Sequence, residues 1–430
     1  MSKKVAFITL GCKVNQYETN AMAQKFEKEG YNIVDHRGKA DIYIVNTCTV
    51  TNISDRKSRQ MLRRVKELNS NSIVVACGCY AQVASDELRK IDEIDLVIGN
   101  NEKKDIVNII NNYISDELNN EIITDVMHDK EFVEFGNVGY SEKVRAVIKV
   151  QDGCDRFCSY CIIPFARGRV RSRKPENVIS EIKEIVKEGI KEVVITGIHV
   201  ASYGKDFKEE YKLIDLLEEI NKIQGIERIR LGSLEPLIIT NEFIKRLIKL
   251  EKICHHFHLS LQSGCDETLK RMNRRYTVTE FNEIVKKLRN AYDDVILTTD
   301  IIVGFPGETE KEFNETYKFL KKINFYKMHI FKYSQRKGTK AEKMDNQVDG
   351  ILKEKRSKIL IKLSEKNEEE YNKSYIGKEV EVLFEEKKEN QFVGHTKNYI
   401  FAHYETKESI ENQIKKCKCI SAKSSYIIVK

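Results

Sequence analysis

Several features are scarce in this sequence, and each scarcity removes a class of protein. No apolar run approaches the roughly 20 residues needed to span a bilayer. The opening stretch, MSKKVAFITLGC, has no long apolar segment with a cleavage site. It reads as the first strand of a domain rather than a signal peptide, so a cytoplasmic protein is expected. There is no low-complexity tract and no internal repeat beyond strand–helix units. Neither sign of charge dominates: 74 Lys and Arg stand against 66 Asp and Glu, a net +8. Such a mild excess is compatible with a nucleic-acid partner without arguing for one.

What is present describes a large soluble chain. The 430 residues, 41% hydrophobic and 33% charged, imply two or three domains. Cysteine is plentiful, at eleven. A reducing compartment disfavours disulfides and the count is odd, so metal-binding or catalytic roles gain weight.

The pattern divides the chain. Residues 1–115 alternate short Val- and Ile-rich runs (VAFITLGC, ADIYIVNTC, SIVVACGC, IDLVIGN) with amphipathic segments. That predicts an open parallel α/β sheet covered on both faces. Cys12, Cys48, Cys77 and Cys79 fall at strand exits, which share one edge of such a sheet, the edge where ligands bind. Residues 116–140 are polar and read as a connector. From 141 to 350, strand then helix repeats six times, which predicts a curved parallel sheet or partial (β/α) barrel. Its functional face should be the strand exits. Three of the four prolines, Pro164, Pro236 and Pro306, lie in those exit loops. A charged helix follows, and the core unit is taken to run over 141–370. Residues 371–430 alternate like a small antiparallel β-barrel.

At the first exit of the second unit stands GCDRFCSYC, with Cys154, Cys158 and Cys161 spaced Cys-x-x-x-Cys-x-x-Cys. A structural zinc normally takes four ligands in paired spacings, and no partner pair lies in this region. A nucleophile needs one thiol rather than three. A 4Fe-4S cluster on three thiolates leaves one iron open. That iron can chelate the amino and carboxylate groups of S-adenosylmethionine, whose C–S bond an electron then breaks. Cys254, Cys265, Cys417 and Cys419 read as structural, and His255, His256 and His258 as strand packing.

With LGCKVNQYET, NTCTVTN, ACGCYAQ, QDGCDRFCSYCIIPFARGR and SLEP in view, the chain resembles the methylthiotransferase family of radical-SAM enzymes over nearly its whole length. The resemblance implies an amino-terminal cluster domain, a radical-SAM core and a TRAM domain, in that order. It implies two 4Fe-4S clusters, one on Cys12, Cys48 and Cys79 with Cys77 a bystander. The other, on the catalytic Cys154, Cys158 and Cys161, cleaves S-adenosylmethionine, which is both radical source and methyl donor. Gly197, Glu235 and Gln262 are candidates for further cofactor contacts. LGCKVNQYET, GIHVASYG and GHTKNYIFAHY look most like the MtaB-type subgroup, which places a methylthio group on carbon 2 of threonylcarbamoyladenosine in tRNA. Siblings that act on isopentenyladenosine tRNA or on a ribosomal-protein aspartate remain alternatives. So does a non-catalytic, metal-containing RNA-binding protein. The implied partners are a tRNA anticodon stem-loop and a reductant such as a flavodoxin or ferredoxin. Three basic runs, RKSRQMLRRVK, RGRVRSRK and KRMNRR, are candidates for phosphate contacts. Tyr399 and Tyr404 are candidates for base stacking, whereas Phe392 and Phe401 are expected in the barrel core.

Overall fold

The computed structural model describes residues 3–115, 120–139 and 144–430. The first layer is a sheet of β1 (Lys4–Thr9), β2 (Asn32–Val34), β3 (Ile42–Thr47), β4 (Ile73–Gly78), β5 (Leu96–Ile98) and β6 (Glu121–Ile122). All pairings are parallel, in the order β2-β1-β3-β4-β5-β6. Successive strand residues serve opposite faces, so both faces are apolar. Val5, Ile44 and Val75 pack under Tyr17, Met22 and Phe26 of the helix Lys13–Lys28. Ala6, Tyr43 and Val74 pack under Leu62 and Val65 of the helix Asn52–Leu68. The connector supplies β6, an edge strand; residues 116–119 and 140 of it lie outside the described residues.

The second layer comprises β7 (Arg145–Asp152), β8 (Arg171–Ser172), β9 (Glu192–Gly197), β10 (Arg228–Leu231), β11 (His256–His258), β12 (Ile296–Val303) and β13 (Lys327–Lys332). The sheets β10-β9-β7-β8 and β11-β12-β13 are joined by parallel bridges, Ile229 to Ile253 and Leu234 to Leu259. Six parallel strands thus curve into the expected partial barrel, with β8 antiparallel to β7. The apolar core runs without a break from the first sheet into this barrel. The helix Lys13–Lys28 lies between them, and its Tyr17 hydroxyl donates to Glu181 Oε2 at 3.1 Å.

The helix Gly350–Lys373 packs along β13 and leads into a closed five-stranded barrel. Its strands are β14 (Glu379–Lys388), β15 (Gln391–Thr396), β16 (Phe401–Glu405), β17 (Ile414–Ala422) and β18 (Ile427–Val429). The run QFVGHTKNYIFAHY folds into two of these, with Tyr399 at φ +79° in the turn between them. Arg228 donates to the carbonyls of His395 (2.9 Å) and Glu381 (3.0 Å), fixing this barrel to the core. Asn398 and Lys397 add bonds to the carbonyls of Asp294 (2.9 Å) and Glu251 (2.6 Å). Among the described residues no helix is long and apolar enough to cross a membrane.

Candidate active site

Three cysteines meet at the exits of β1, β3 and β4. Cys12 caps the start of the helix Lys13–Lys28, and Cys79 opens the helix Cys79–Val83. Cys48 follows β3 directly, three residues before the N-cap Thr51 of the helix Asn52–Leu68. Gly11, at φ +99°, lets the β1 exit approach Cys48: a Cβ there would stand 2.7 Å from Cys48 Cβ and 2.8 Å from its Sγ. Cys48 and Cys79 are buried, whereas Cys12 keeps solvent-accessible surface. Burial pushes the Cys48 thiol up to about 11, with Cys79 and Cys12 adding to the rise. Burial also raises Cys12; Arg167 opposes this and Cys79 reinforces it. The three sulfurs therefore feel one another. Cys77 is separate: fully buried within β4, it packs in the apolar core, and burial pushes its thiol to about 12.

The second trio follows β7. Gly153, at φ +70°, permits the turn, because a Cβ there would lie 1.8 Å from the carbonyl oxygen of Arg169. The loop is pinned from several sides. Cys154 N donates to Gly168 O (3.0 Å), Ser159 N to Met272 O (3.1 Å), and Ala341 N to Ser159 O (2.8 Å). Arg156 N lies 3.4 Å from Cys154 Sγ, and Arg274 directs a guanidinium N–H at Cys158 Sγ, also at 3.4 Å. Burial pushes the free thiols of Cys154 to about 11 and Cys161 to about 12. Unligated, these thiols are protonated at neutral pH and make poor nucleophiles.

Both trios fit a polynuclear iron–sulfur cluster. Each supplies three thiols, the donor type that iron–sulfur clusters take. Each trio also has one sulfur facing a guanidinium, which suits an anionic thiolate set.

Between the trios lies a buried ionic network. Arg167 donates through Nε to Cys79 Sγ (3.1 Å) and through NH2 to Asn15 Oδ1 (2.6 Å) and Glu18 Oε2 (3.1 Å). Lys103 and Lys149 reach Glu18 at 2.6 and 2.7 Å, and Lys149 also reaches Asp152 at 2.5 Å. Burial alone would raise Glu18, but Arg167, Lys103 and Lys149 outweigh it and hold the carboxyl well below its usual range. Asp152 is likewise held down, to about 2, by Lys149, Arg167 and Arg171 against its burial.

This network corrects the reading of RGRVRSRK as a phosphate-binding run. Arg167, Arg171 and Arg173 are fully buried and bonded within the protein, Arg171 to the Arg167 carbonyl at 2.7 Å and Arg173 to Glu134 and Glu181. Arg169 alone of the four is exposed. KRMNRR is divided: Arg271 pairs with Glu312 at 2.8 Å and Arg274 serves the cysteine loop, leaving Lys270 and Arg275 exposed. In RKSRQMLRRVK, Arg56, Lys57, Arg63 and Arg64 are exposed on the helix Asn52–Leu68.

Of the other candidates, Glu235 is buried, pairs with Arg156, and lies 3.3 Å from His199 Nε2. Burial opposes its charge, yet His199, Arg156 and Arg274 hold it below the ordinary carboxylate range. Gly197 ends β9 against Gln151, where a Cβ would lie 2.9 Å from the Gln151 carbonyl oxygen. Gln262 sits at φ +69° and bridges to Ile301 of β12. Phe392 is in the barrel core as expected, but Phe401 is half-buried and lines a cavity.

That cavity, of about 940 Å³, is bounded by all three parts of the molecule. Lys13, beside Cys12, lines it from the first sheet; Arg230, His258 and Asp300 from the core; His395 and Tyr399 from the small barrel. Tyr399 stacks between His256 (4.5 Å) and His395 (4.6 Å), with Arg230 4.8 Å from its ring. The sequence reading missed the histidines. The available signal was the two-residue alternation of His256 and His258, Thr298 and Asp300, and Lys327 and His329, which directs each pair to the barrel interior.

Comparison with known proteins follows these divisions. Residues 148–320 match the Radical SAM superfamily, and residues 4–99 match a family described as Uncharacterized protein family UPF0004. The chain is 41% identical over 98% of its length to the threonylcarbamoyladenosine tRNA methylthiotransferase MtaB of Bacillus subtilis (strain 168), covering 95% of that protein. With the MtaB of Aquifex aeolicus (strain VF5) it shares 43% identity over 92% of its length and 95% of the relative's. A tRNA-2-methylthio-N(6)-dimethylallyladenosine synthase of Thermoanaerobacter sp. (strain X514) is 35% identical, over 97% of this chain and 90% of that one. The fold is shared with the radical S-adenosylmethionine methyltransferase TsrM of Kitasatospora setae: TM-score 0.59, 15% identity, 77% of this chain and 73% of that one.

Proposed function

The chain belongs to the radical-SAM tRNA methylthiotransferases, and from that membership we propose that it places a methylthio group on carbon 2 of threonylcarbamoyladenosine beside the anticodon of tRNA. The observation that carries this reading is its near full-length identity, 40–43%, with three threonylcarbamoyladenosine tRNA methylthiotransferases. Identity to the dimethylallyladenosine synthases is lower, at 34–36%.

Membership brings S-adenosylmethionine and a 4Fe-4S cluster; we assign two clusters, one to each cysteine trio. Cys154, Cys158 and Cys161 would hold the one next to S-adenosylmethionine, and Cys12, Cys48 and Cys79 the other. When bound, these groups supply the electron that breaks the sulfonium C–S bond and an open iron at which sulfur can be held. The chain's own residues prepare both places. Arg274 and the Arg156 amide direct N–H groups at Cys158 and Cys154, and Arg167 does the same at Cys79. Glu235, kept ionised by His199 and Arg156, offers a carboxylate for a ribose hydroxyl or a cationic group of the cofactor. Gly197 lets Gln151 pack close against the β9 exit, and Gln262 supplies a polar group at the β11 exit. The cavity beside Lys13 would receive the modified base; Tyr399, its ring already held by His256, His395 and Arg230, shapes the wall rather than offering a free stacking face. The exposed arginines of Asn52–Leu68 would meet the stem-loop phosphates, and a flavodoxin or ferredoxin would deliver the electron.

The test is mass spectrometry of tRNA nucleosides from cells lacking the gene, with and without a plasmid copy. The methylthio derivative of threonylcarbamoyladenosine should vanish and return. Its persistence in the deletion strain would refute the substrate.

A further inference from the structure

We propose that His258, Asp300 and His329 form a divalent-metal site on the cavity wall, and that its open positions take the carboxylate of the threonylcarbamoyl group. The second half rests on the function proposed above; the first does not.

The three residues stand on adjacent strands β11, β12 and β13, with Asp300 and His329 paired in register. Their ligand atoms all lie within 4.8 Å of one another, the one such group of three His, Cys, Asp or Glu residues among the described residues. His258 is oriented from behind: its Nδ1 meets Thr298 Oγ1 at 3.0 Å, which leaves Nε2 toward the cavity. That Nε2 is buried 3.1 Å from Asp300 Oδ2, yet the angles make no hydrogen bond and it has no other partner. Two adjacent ligands on one ion at about 2.1 Å stand about 3 Å apart, so the spacing suits a shared cation.

Two imidazoles and a carboxylate on one side of an ion leave its other positions open, as in facial-triad sites. Here those positions face the cavity that also touches Lys13 and the small barrel. A threonylcarbamoyl group ends in a carboxylate, a hard anionic donor that such a cation accepts. Two of the cavity's cations are already engaged: Lys327 with Glu368 at 2.9 Å and Arg230 with Glu192 at 2.7 Å. An ion at this site would supply positive charge that these side chains do not offer freely.

The test uses cluster-loaded protein dialysed to equilibrium against zinc, with zinc and iron counted per chain. Wild type should retain one zinc more than His329→Ala or Asp300→Asn. His329 is exposed, so iron content and melting temperature should be unchanged in its variant. Equal zinc in wild type and His329→Ala, or none in either, overturns the site. Zinc should also tighten binding of a stem-loop bearing threonylcarbamoyladenosine about tenfold, the scale of one charge-assisted contact, and leave the unmodified stem-loop unaffected. Zinc retained without this preference overturns the carboxylate assignment. Zinc and preference both present, with no methylthio transfer by fully assembled enzyme, would instead refute the proposed function.

Discussion

Arg167 directs its Nε–H at the sulfur of Cys79 across 3.1 Å while its other nitrogens engage Asn15, Glu18 and Asp152, all out of contact with solvent. One side chain from the second unit thereby fixes a cysteine of the first. Arg167→Leu strands Glu18 and Asp152 with two lysines and removes the donor to sulfur. The expected loss is about 3 kcal/mol, typical of breaking a buried pair, with iron per chain falling toward half. Urea unfolding and iron analysis check both.

Replacing the cysteines singly with Ala should separate ligands from bystanders. Changing Cys12, Cys48 or Cys79 should remove one cluster's iron and leave reductive cleavage of S-adenosylmethionine intact. Changing Cys154, Cys158 or Cys161 should remove the other cluster's iron and abolish that cleavage. Cys77→Ala should keep all the iron, because its thiol faces the apolar core. Iron counts and 5′-deoxyadenosine formation give the readout; a Cys77→Ala protein short of iron would reverse the choice of Cys79.

Gly153→Ala forces a Cβ to within 1.8 Å of a backbone oxygen at a positive φ. The loop carrying Cys154 must shift, at a loss of more than about 1 kcal/mol. Iron at this trio should drop while the amino-terminal trio keeps its own, as Mössbauer spectra would resolve.

Acid should weaken the ionic network. Glu18 and Asp152 are depressed in the folded state, so their contribution is complete above the ordinary carboxylate values and fades as pH falls through the folded ones, about 2 for Asp152. Glu18→Gln should therefore lower the urea midpoint at pH 7, and the gap from wild type should narrow below about pH 4. A gap that widens in acid would contradict the assignment.

On the helix Asn52–Leu68, changing Arg56, Arg63 and Arg64 together to Ala should weaken stem-loop binding and flatten its salt dependence. Each lost phosphate contact reduces the log–log slope by roughly 0.7 to 0.9. Iron and S-adenosylmethionine cleavage should not change. An unaltered slope would move the RNA contact elsewhere.

The cysteine positions were legible because strand periodicity fixes where each strand ends, and parallel exits share an edge. The six-unit repeat and the small barrel followed from the same periodicity. RGRVRSRK was misread because its counter-ions are remote in sequence: Glu18 is 149 residues from Arg167. A basic run looks the same whether it faces solvent or a buried acid. The cavity histidines were hidden for a related reason. His258 joins Asp300 and His329 only through strand register, which no local pattern of HHFH expresses.

The small carboxy-terminal barrel is tied to the core through Arg228, Lys397 and Asn398, and the cavity opens along that seam. With the barrel held by these contacts, the nucleotide would reach the cavity by unstacking from the anticodon loop and turning outward into the protein. RNA whose loop is already loose at that base should therefore be modified faster than RNA whose loop is stiff.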